Sequence, residues 1–203
     1  MNLWSSLTAG LSLSMVITSL SGIARADMPS GWITAGSHPQ DYEIGLDRNV
    51  SYTGRSSAYI KAVASPRGFA TLMQEFKADL YRGKRVRLSA HVKAMDVKDW
   101  AGLWMRVDGE KPAGSSRPTT LAFDNMFNRP IKGTTDWTRY EVVLDIPEHA
   151  AIIAFGVLLN GRGEIWSDKF EFDLVDASVP VTATNSQLEQ LPKQPVNLDF
   201  EER

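Results

Sequence analysis

Residues 86–108, VRLSAHVKAMDVKDWAGLWMRVD, contain the pattern that decides the fold. Apolar residues alternate with polar ones at both ends of this stretch, from Val86 to Lys93 and again from Leu103 to Asp108. Successive side chains of a β-strand point to opposite faces of a sheet, so each run predicts a strand that turns one face to a core. The stretch therefore indicates an all-β protein with half-buried sheets.

The same alternation recurs along the chain. Further strands are predicted at Tyr59–Val63, Phe69–Ala78 and Arg139–Ile146, and the nearly continuous apolar run Ile152–Leu159 predicts a central strand. At least seven short strands, with no ten-residue amphipathic helix after the first 26 residues, predict an antiparallel β-sandwich. Long strands joined by some long connections favour a jelly roll.

A tight hairpin is predicted after the central strand. Asn160-Gly161-Arg162-Gly163 supplies residues that adopt the positive φ angles of such turns, and Glu164–Val175 then reads as the returning strand.

Composition excludes several function classes. The chain has 203 residues, a formal net charge of -2 and no cysteine. Disulfides and thiolate metal sites are therefore excluded, and without a basic run there is no electrostatic case for nucleic acid or an anionic membrane. No catalytic motif is present, and the spacing of His38, His91 and His149 suggests no metal pair. We therefore predict a protein that is not an enzyme, and the alternative is a hydrolase built from carboxylates on distant strands.

The two ends of the chain differ in composition from its middle. Leu11–Ile23 is apolar and is followed by Ala24-Arg25-Ala26, which predicts a signal peptide over residues 1–26 and a secreted or periplasmic protein. The alternative is a buried core helix or a misassigned start codon. A β-sandwich domain is predicted over residues 27–176. Residues 177–203, rich in Pro, Thr, Gln and Ser, are predicted to be a linker and C-terminal tail.

Five residues are predicted to form a binding site for a polar, sugar-like ligand. If the alternating apolar residues face the core, Trp104, Arg106 and His91 share the opposite face with Lys93. Sugars stack their C–H patches on an aromatic ring while their hydroxyls bond to guanidinium, amide and carboxylate groups. Asp124 and Asn125, at the end of a long polar loop, are predicted to clamp one edge of the ligand.

A structural interpretation of the same residues stays open. Trp104 would then pack under the loop 109–120, and Arg106 would pair with Asp108 or Asp124. Trp137 is predicted to be scaffold in either case, and Glu75 joins the Trp104 face if its strand is a neighbour.

Several phrases in order carry a resemblance to known domains. They are Gly31-Trp32, Tyr81-Arg82-Gly83-Lys84, residues 100–108, Phe123-Asp124-Asn125-Met126 and Ile165-Trp166-Ser167-Asp168. Residues 31–175 resemble the galactose-binding-like β-jelly-roll modules, the fold of many carbohydrate-binding modules. More closely, they resemble uncharacterised modules attached to helix-turn-helix transcriptional regulators.

The resemblance implies a non-catalytic module that binds carbohydrate or another small polar ligand. It also implies a structural Ca²⁺, for which it assigns no ligands here. The helix-turn-helix is missing, so no DNA-binding role is implied. The alternative function is a structural or protein–protein interaction module that uses a sheet face or a strand edge.

The C-terminal segment Asn197–Glu201, NLDFE, is similar to the first strand of these modules, which does not precede Gly31-Trp32 here. We hypothesise that it docks at the sheet edge in cis or swaps into a neighbouring molecule, with a disordered tail as the alternative.

Overall fold

The computed structural model describes residues 27–63, 65–115 and 117–183, and this part of the chain is an antiparallel β-structure. The nine strands are β1 (Ile33–Gly36), β2 (Tyr42–Asp47), β3 (Ser57–Ala62), β4 (Phe69–Lys77), β5 (Arg85–Gly109), β6 (Thr120–Asp124), β7 (Ile131–Asp145), β8 (Ala150–Asn160) and β9 (Glu164–Val175). Apart from strands, the described residues hold one 3-10 turn, Pro39–Asp41, and no α-helix. The predicted all-β class and antiparallel sandwich are confirmed.

The strands form two layers that share β5. The first sheet has the order β1, β4, β8, the C-terminal half of β5, and β6. The second sheet has the order β7, the N-terminal half of β5, β9, β3 and β2. The predicted central strand is confirmed as β8, which lies between β4 and β5.

Strand β5 joins the two layers because it bends near its middle. Residues 85–95 pair with β9 and residues 100–109 pair with β8. Between them the core-facing positions change from even to odd numbers, Met95 and Asp96 are exposed, and Asp96 takes a φ of 55°. The two runs that the sequence predicts as separate strands are therefore two halves of one strand that passes from sheet to sheet.

The core lies between the two layers and is filled from both halves of β5. Leu88, Val92, Leu103 and Val107 are each completely buried, and they belong to one apolar cluster. Other fully buried members are Leu72 on β4 and Leu159 on β8. Because both halves of β5 turn their apolar side chains inward, their other side chains point out of opposite sheets.

The predicted hairpin at Gly161 is wrong in its pairing. Gly161 does adopt a positive φ of 73°, as the turn residues indicate. However, β8 and β9 lie on either side of β5 and do not pair with each other. The short connection 161–163 therefore crosses from the first sheet to the second.

The first residues of the predicted linker pack on the sandwich. Thr182 N donates to Val143 O at 3.0 Å, and Val143 N donates to Thr182 Oγ1 at 2.7 Å. Val181 and Ala183 pack against the core cluster. We call residues 177–183 the C-terminal strap. The predicted signal peptide and the segment 197–201 lie outside the described residues.

No helix in the part of the chain described here is long and apolar enough to span a membrane.

Candidate functional site

Trp104 lies on the outer surface of the first sheet, and its ring crosses a neighbouring strand. In the hydrogen-bond register Trp104 is opposite Gly156 on β8, and Gly156 is opposite Met73 on β4. The indole Nε1 donates to Thr71 Oγ1 on β4 at 2.7 Å. A Cβ at Gly156 would stand 2.2 Å from the Leu72 carbonyl oxygen, so only glycine fits beneath this arrangement. With 7% of its surface exposed, Trp104 forms the floor of the face.

Arg106 is held in place by a buried carboxylate. Its Nε donates to both oxygens of Asp108, at 3.0 and 2.8 Å, and Asp108 also accepts from Thr120 Oγ1 at 3.1 Å. The side chain of Asp108 is 2% exposed and that of Arg106 is 39% exposed. Within the described residues every hydrogen bond of this guanidinium comes from Nε. Its two Nη groups are therefore available to a ligand.

One row of the first sheet collects the polar and aromatic groups. Arg106 is opposite Ala154 on one side and Phe123 on the other, and Ala154 is opposite Glu75. Neighbouring strands are about 5 Å apart, so Glu75 and Arg106 stand about 10 Å apart on either side of Ala154, which is buried. The sequence predicts Glu75 on the Trp104 face only if its strand is a neighbour. In the structure β8 lies between β4 and β5, and Glu75 is on the same face two strands from Arg106.

Two exposed aromatic rings lie beside Arg106 and Trp100. Phe123 is 47% exposed and Phe127 is 71% exposed. The ring of Phe127 meets the half-buried Trp100 edge to face, with centroids 5.6 Å apart. We call the surface formed by Glu75, Trp100, Trp104, Arg106, Phe123 and Phe127 the outer aromatic face.

Asp124 does not point to this face. It is opposite Met105, a core position, and is 7% exposed. Its oxygens accept from Met126 N, from Arg129 Nη1 and Nη2, and from Thr182 Oγ1, over 2.6–3.1 Å. The structure therefore uses Asp124, predicted as a ligand clamp, to tie the loop after β6 to the C-terminal strap.

Asn125 folds the same loop. Its Oδ1 accepts from Phe127 N at 3.1 Å, and its carbonyl oxygen would lie 3.1 Å from a Cβ at Gly102. Asn125 therefore sits at the border of the outer aromatic face and positions Phe127.

His91 lies on the outer surface of the second sheet, between Arg139 and Asp168 in the register. The expectation that it shares a face with Trp104 and Arg106 is wrong, because β5 changes sheets between them. Its ring stacks on Tyr52, with centroids 3.8 Å apart and an angle of 11°. Trp137, predicted as scaffold, is half-buried beside Tyr52 at 5.8 Å.

The pKa of His91 is lowered from its usual value by burial, and further by the positive charges of Lys169 and Arg139, against opposing effects of Glu171 and Asp168. A lowered pKa means that the unfolded chain takes up a proton first as the pH falls. The folded state therefore has its full stability above about pH 6.5, the usual histidine value, where His91 is neutral in both states. It loses stability as the pH falls from that value through the folded-state pKa of His91.

We expect His91→Phe, which keeps a ring against Tyr52 but cannot be protonated, to lose less stability than the wild type on acidification. Urea unfolding at a series of pH values between neutral and mildly acidic measures this difference. Parallel pH curves for the two proteins would contradict it.

The described ranges contain no group of three His, Asp or Glu side chains that could hold a metal ion. They therefore offer no side-chain cluster for the Ca²⁺ that the sequence resemblance implies.

Comparisons with known proteins agree with this architecture. No family model matches the chain. The sequence is 49% identical over 175 residues to the uncharacterized HTH-type transcriptional regulator YbfP of Bacillus subtilis (strain 168), covering 85% of this chain and 57% of that protein. The chain thus spans little more than half the length of this relative.

The solved structures that share the fold include two with CBM22-1 modules. The CBM22-1 xylan-binding domain from Paenibacillus barcinonensis Xyn10C has a TM-score of 0.52 at 15% identity, over 75% of this chain and 91% of that one. The CBM22-1–GH10 modules of Clostridium thermocellum Xyn10B, complexed with xylohexaose, have a TM-score of 0.53 at 13% identity, over 79% and 29%. The chain has the jelly-roll fold of carbohydrate-binding modules. The resemblance stated from the sequence is confirmed.

Sequence reasoning missed Trp100, Phe123 and Phe127 as parts of the face. A usable signal was present, because Phe123 precedes Asp124-Asn125 and Phe127 stands two residues after them, next to Asn128-Arg129-Pro130. Such large apolar residues beside turn-forming residues indicate a loop that presents a ring to solvent.

Proposed function

We propose that this chain is a non-catalytic module that binds carbohydrate on the outer aromatic face. The observation that carries the proposal is the state of Arg106. Its Nε is fixed by buried Asp108, its Nη groups are available, and an exposed ring, Phe123, stands next to it. A fixed guanidinium beside an aromatic ring offers a sugar both directional hydrogen bonds and an apolar stacking surface.

The carboxylates of this face favour binding over hydrolysis. Glycoside hydrolysis generally uses two carboxyl groups on either side of the scissile bond. Among the residues of this face and their partners, Asp108 is locked to Arg106 and Thr120, so Glu75 is the carboxylate left to meet a ligand. The jelly-roll neighbours named as xylan-binding support a saccharide as ligand.

We place this module in the secreted or periplasmic compartment, on the support of the apolar run and the Ala-Arg-Ala pattern within residues 1–26.

Loss of the exposed rings should weaken binding without unfolding the protein. We expect Phe123→Ala and Phe127→Ala each to lower the affinity for a bound oligosaccharide about tenfold, because a stacked ring contributes about 1–1.5 kcal/mol. A glycan array, including xylan oligosaccharides, identifies the ligand, and calorimetry measures the affinities. Leu80→Ala is the matched control, since Leu80 is 78% exposed on the connection between β4 and β5. An array without hits, or affinities that neither phenylalanine variant changes, would refute the proposal.

A second candidate is a protein-docking face. Ile33, on the edge strand β1, is 51% exposed on the sheet that carries Phe123 on β6, and Phe127 lies in the loop after β6. Exposed apolar side chains on one surface are typical of protein interaction sites. If this surface docks a protein, the glycan array gives no hits, and Phe123→Ala and Phe127→Ala each abolish binding of the protein partner.

A further inference from the structure

A separate groove lies on the outer surface of the second sheet, near its β2 edge. It is open to solvent and has a volume of about 400 Å³. The strand register places Glu43, Lys61 and Glu164 in one row across β2, β3 and β9. Tyr59, one row along and opposite Gly45 and Trp166, supplies an aromatic wall. The groove is therefore built from three strands.

The groups at one end of the groove are fixed in place. Asp47 accepts from Trp166 Nε1 at 2.9 Å and from the backbone N–H groups of Asn49 and Val50 at 2.8 and 3.2 Å. Trp166 is 7% exposed, so its indole is held by the sheet. The carboxylate of Asp47 therefore has a defined position before any ligand arrives.

The remaining charges are poorly compensated. The Glu164 side chain is only 13% exposed, yet its ion pair with Lys61 is long, at 3.9 Å. No hydrogen bond or ion pair among the described residues involves the Glu43 carboxylate or the Tyr59 hydroxyl. Burial raises the pKa of Glu164 and of Tyr59, and the neighbouring carboxylates add to both effects. With Asp47 the groove is lined by three carboxylates and by two cations, the half-exposed Lys61 and Arg48, and Arg48 is paired with Asp27 at 3.0 Å.

We propose that this groove is a second ligand site, which takes a hydroxylated molecule bearing an ammonium group, such as an amino sugar. The ammonium lies against the carboxylate of Glu43, which has no partner among the described residues, and its positive charge adds to that of Lys61 in offsetting the three carboxylates. The sugar ring packs on Tyr59, and its hydroxyls meet the Tyr59 hydroxyl and the Asn49 amide. The described carboxylates do not converge as metal ligands do, which favours an organic cation over a metal ion.

Calorimetry with the trimer of β-1,4-linked glucosamine tests this site, at neutral pH and low salt, because exposed charges are screened at high salt. We expect the wild type to bind this trimer and to bind the N-acetylated trimer at least about tenfold more weakly. Glu43→Gln, an isosteric change on an exposed residue, should weaken binding of the glucosamine trimer about tenfold or more.

Glu148→Gln is the matched control. It removes the same charge from an exposed position on the connection between β7 and β8, outside both the groove and the outer aromatic face, and should leave binding of the glucosamine trimer unchanged. Phe127→Ala reports on the outer aromatic face and Glu43→Gln reports on this groove, so failure of the two sites gives different results. The proposal is overturned if the wild type does not bind the glucosamine trimer, if acetylation makes no difference, if Glu43→Gln and Glu148→Gln weaken binding equally, or if Phe127→Ala abolishes binding that Glu43→Gln leaves intact.

Discussion

Replacing Trp104 with alanine is expected to destabilise the sandwich by about 3–5 kcal/mol, the usual effect of removing a buried aromatic side chain. The ring is 7% exposed and packs against Met73, Ala154 and Leu158. Because Gly156 beneath it has no side chain to fill the space, the vacated volume would remain as a cavity or a wet cleft. Urea unfolding followed by far-ultraviolet circular dichroism measures the loss.

Trp104→Phe separates packing from the indole hydrogen bond. It keeps a ring over Gly156 but removes the donor to Thr71, whose hydroxyl still donates to Val157 O at 2.8 Å. The expected loss is about 1–2 kcal/mol. An unfolding midpoint for Trp104→Ala equal to that of the wild type would show that the ring is not part of the packed structure. Since Trp104→Ala changes stability, a loss of ligand binding in that variant does not by itself identify a contact.

The fold could be predicted from the sequence because alternation reports burial directly. Leu103, Met105 and Val107 are buried where the period-two pattern places them. The pattern says nothing about what happens between its two runs, where β5 passes from one sheet to the other at Met95 and Asp96. That bend depends on pairing with β8 and β9, which are far along the chain. For this reason the sequence predicted His91 and Trp104 on one face, and the structure puts them on opposite sheets.

The candidate site could be predicted only in part. Placing Trp104 and Arg106 side by side on the outer surface needs only the pleat of one strand. The inward direction of Asp124 depends on its pairing opposite Met105 and on Arg129 and Thr182, contacts that no local pattern contains. Likewise, the residues around Gly161 predict a turn. Whether β8 and β9 pair with each other is decided by β5, which lies between them.

Replacing Asp124 with alanine is expected to cost about 3 kcal/mol, because it removes the charged acceptor of hydrogen bonds from Arg129, Thr182 and the buried Met126 N–H. The Asp124 side chain is 5% exposed, and its pair with Arg129 has a distance of 2.7 Å. The same carboxylate accepts from Thr182 Oγ1 at 2.6 Å and from Met126 N at 2.8 Å. One side chain therefore holds the strap and the loop that carries Phe127. Urea unfolding measures the cost.

Thr182→Val provides the matched control. It keeps the shape of the side chain but removes the hydroxyl between Asp124 and Val143 N, so a smaller loss of about 1–2 kcal/mol is expected. In a double-mutant cycle the two losses should be non-additive, since both variants remove the same contact. Additive losses would mean that the strap docks independently of Asp124. If the losses are non-additive, Thr182→Val should also speed hydrogen exchange at Phe127 N. Asp124 connects the strap to the loop that borders the outer aromatic face, so loosening the strap should increase local opening of that loop.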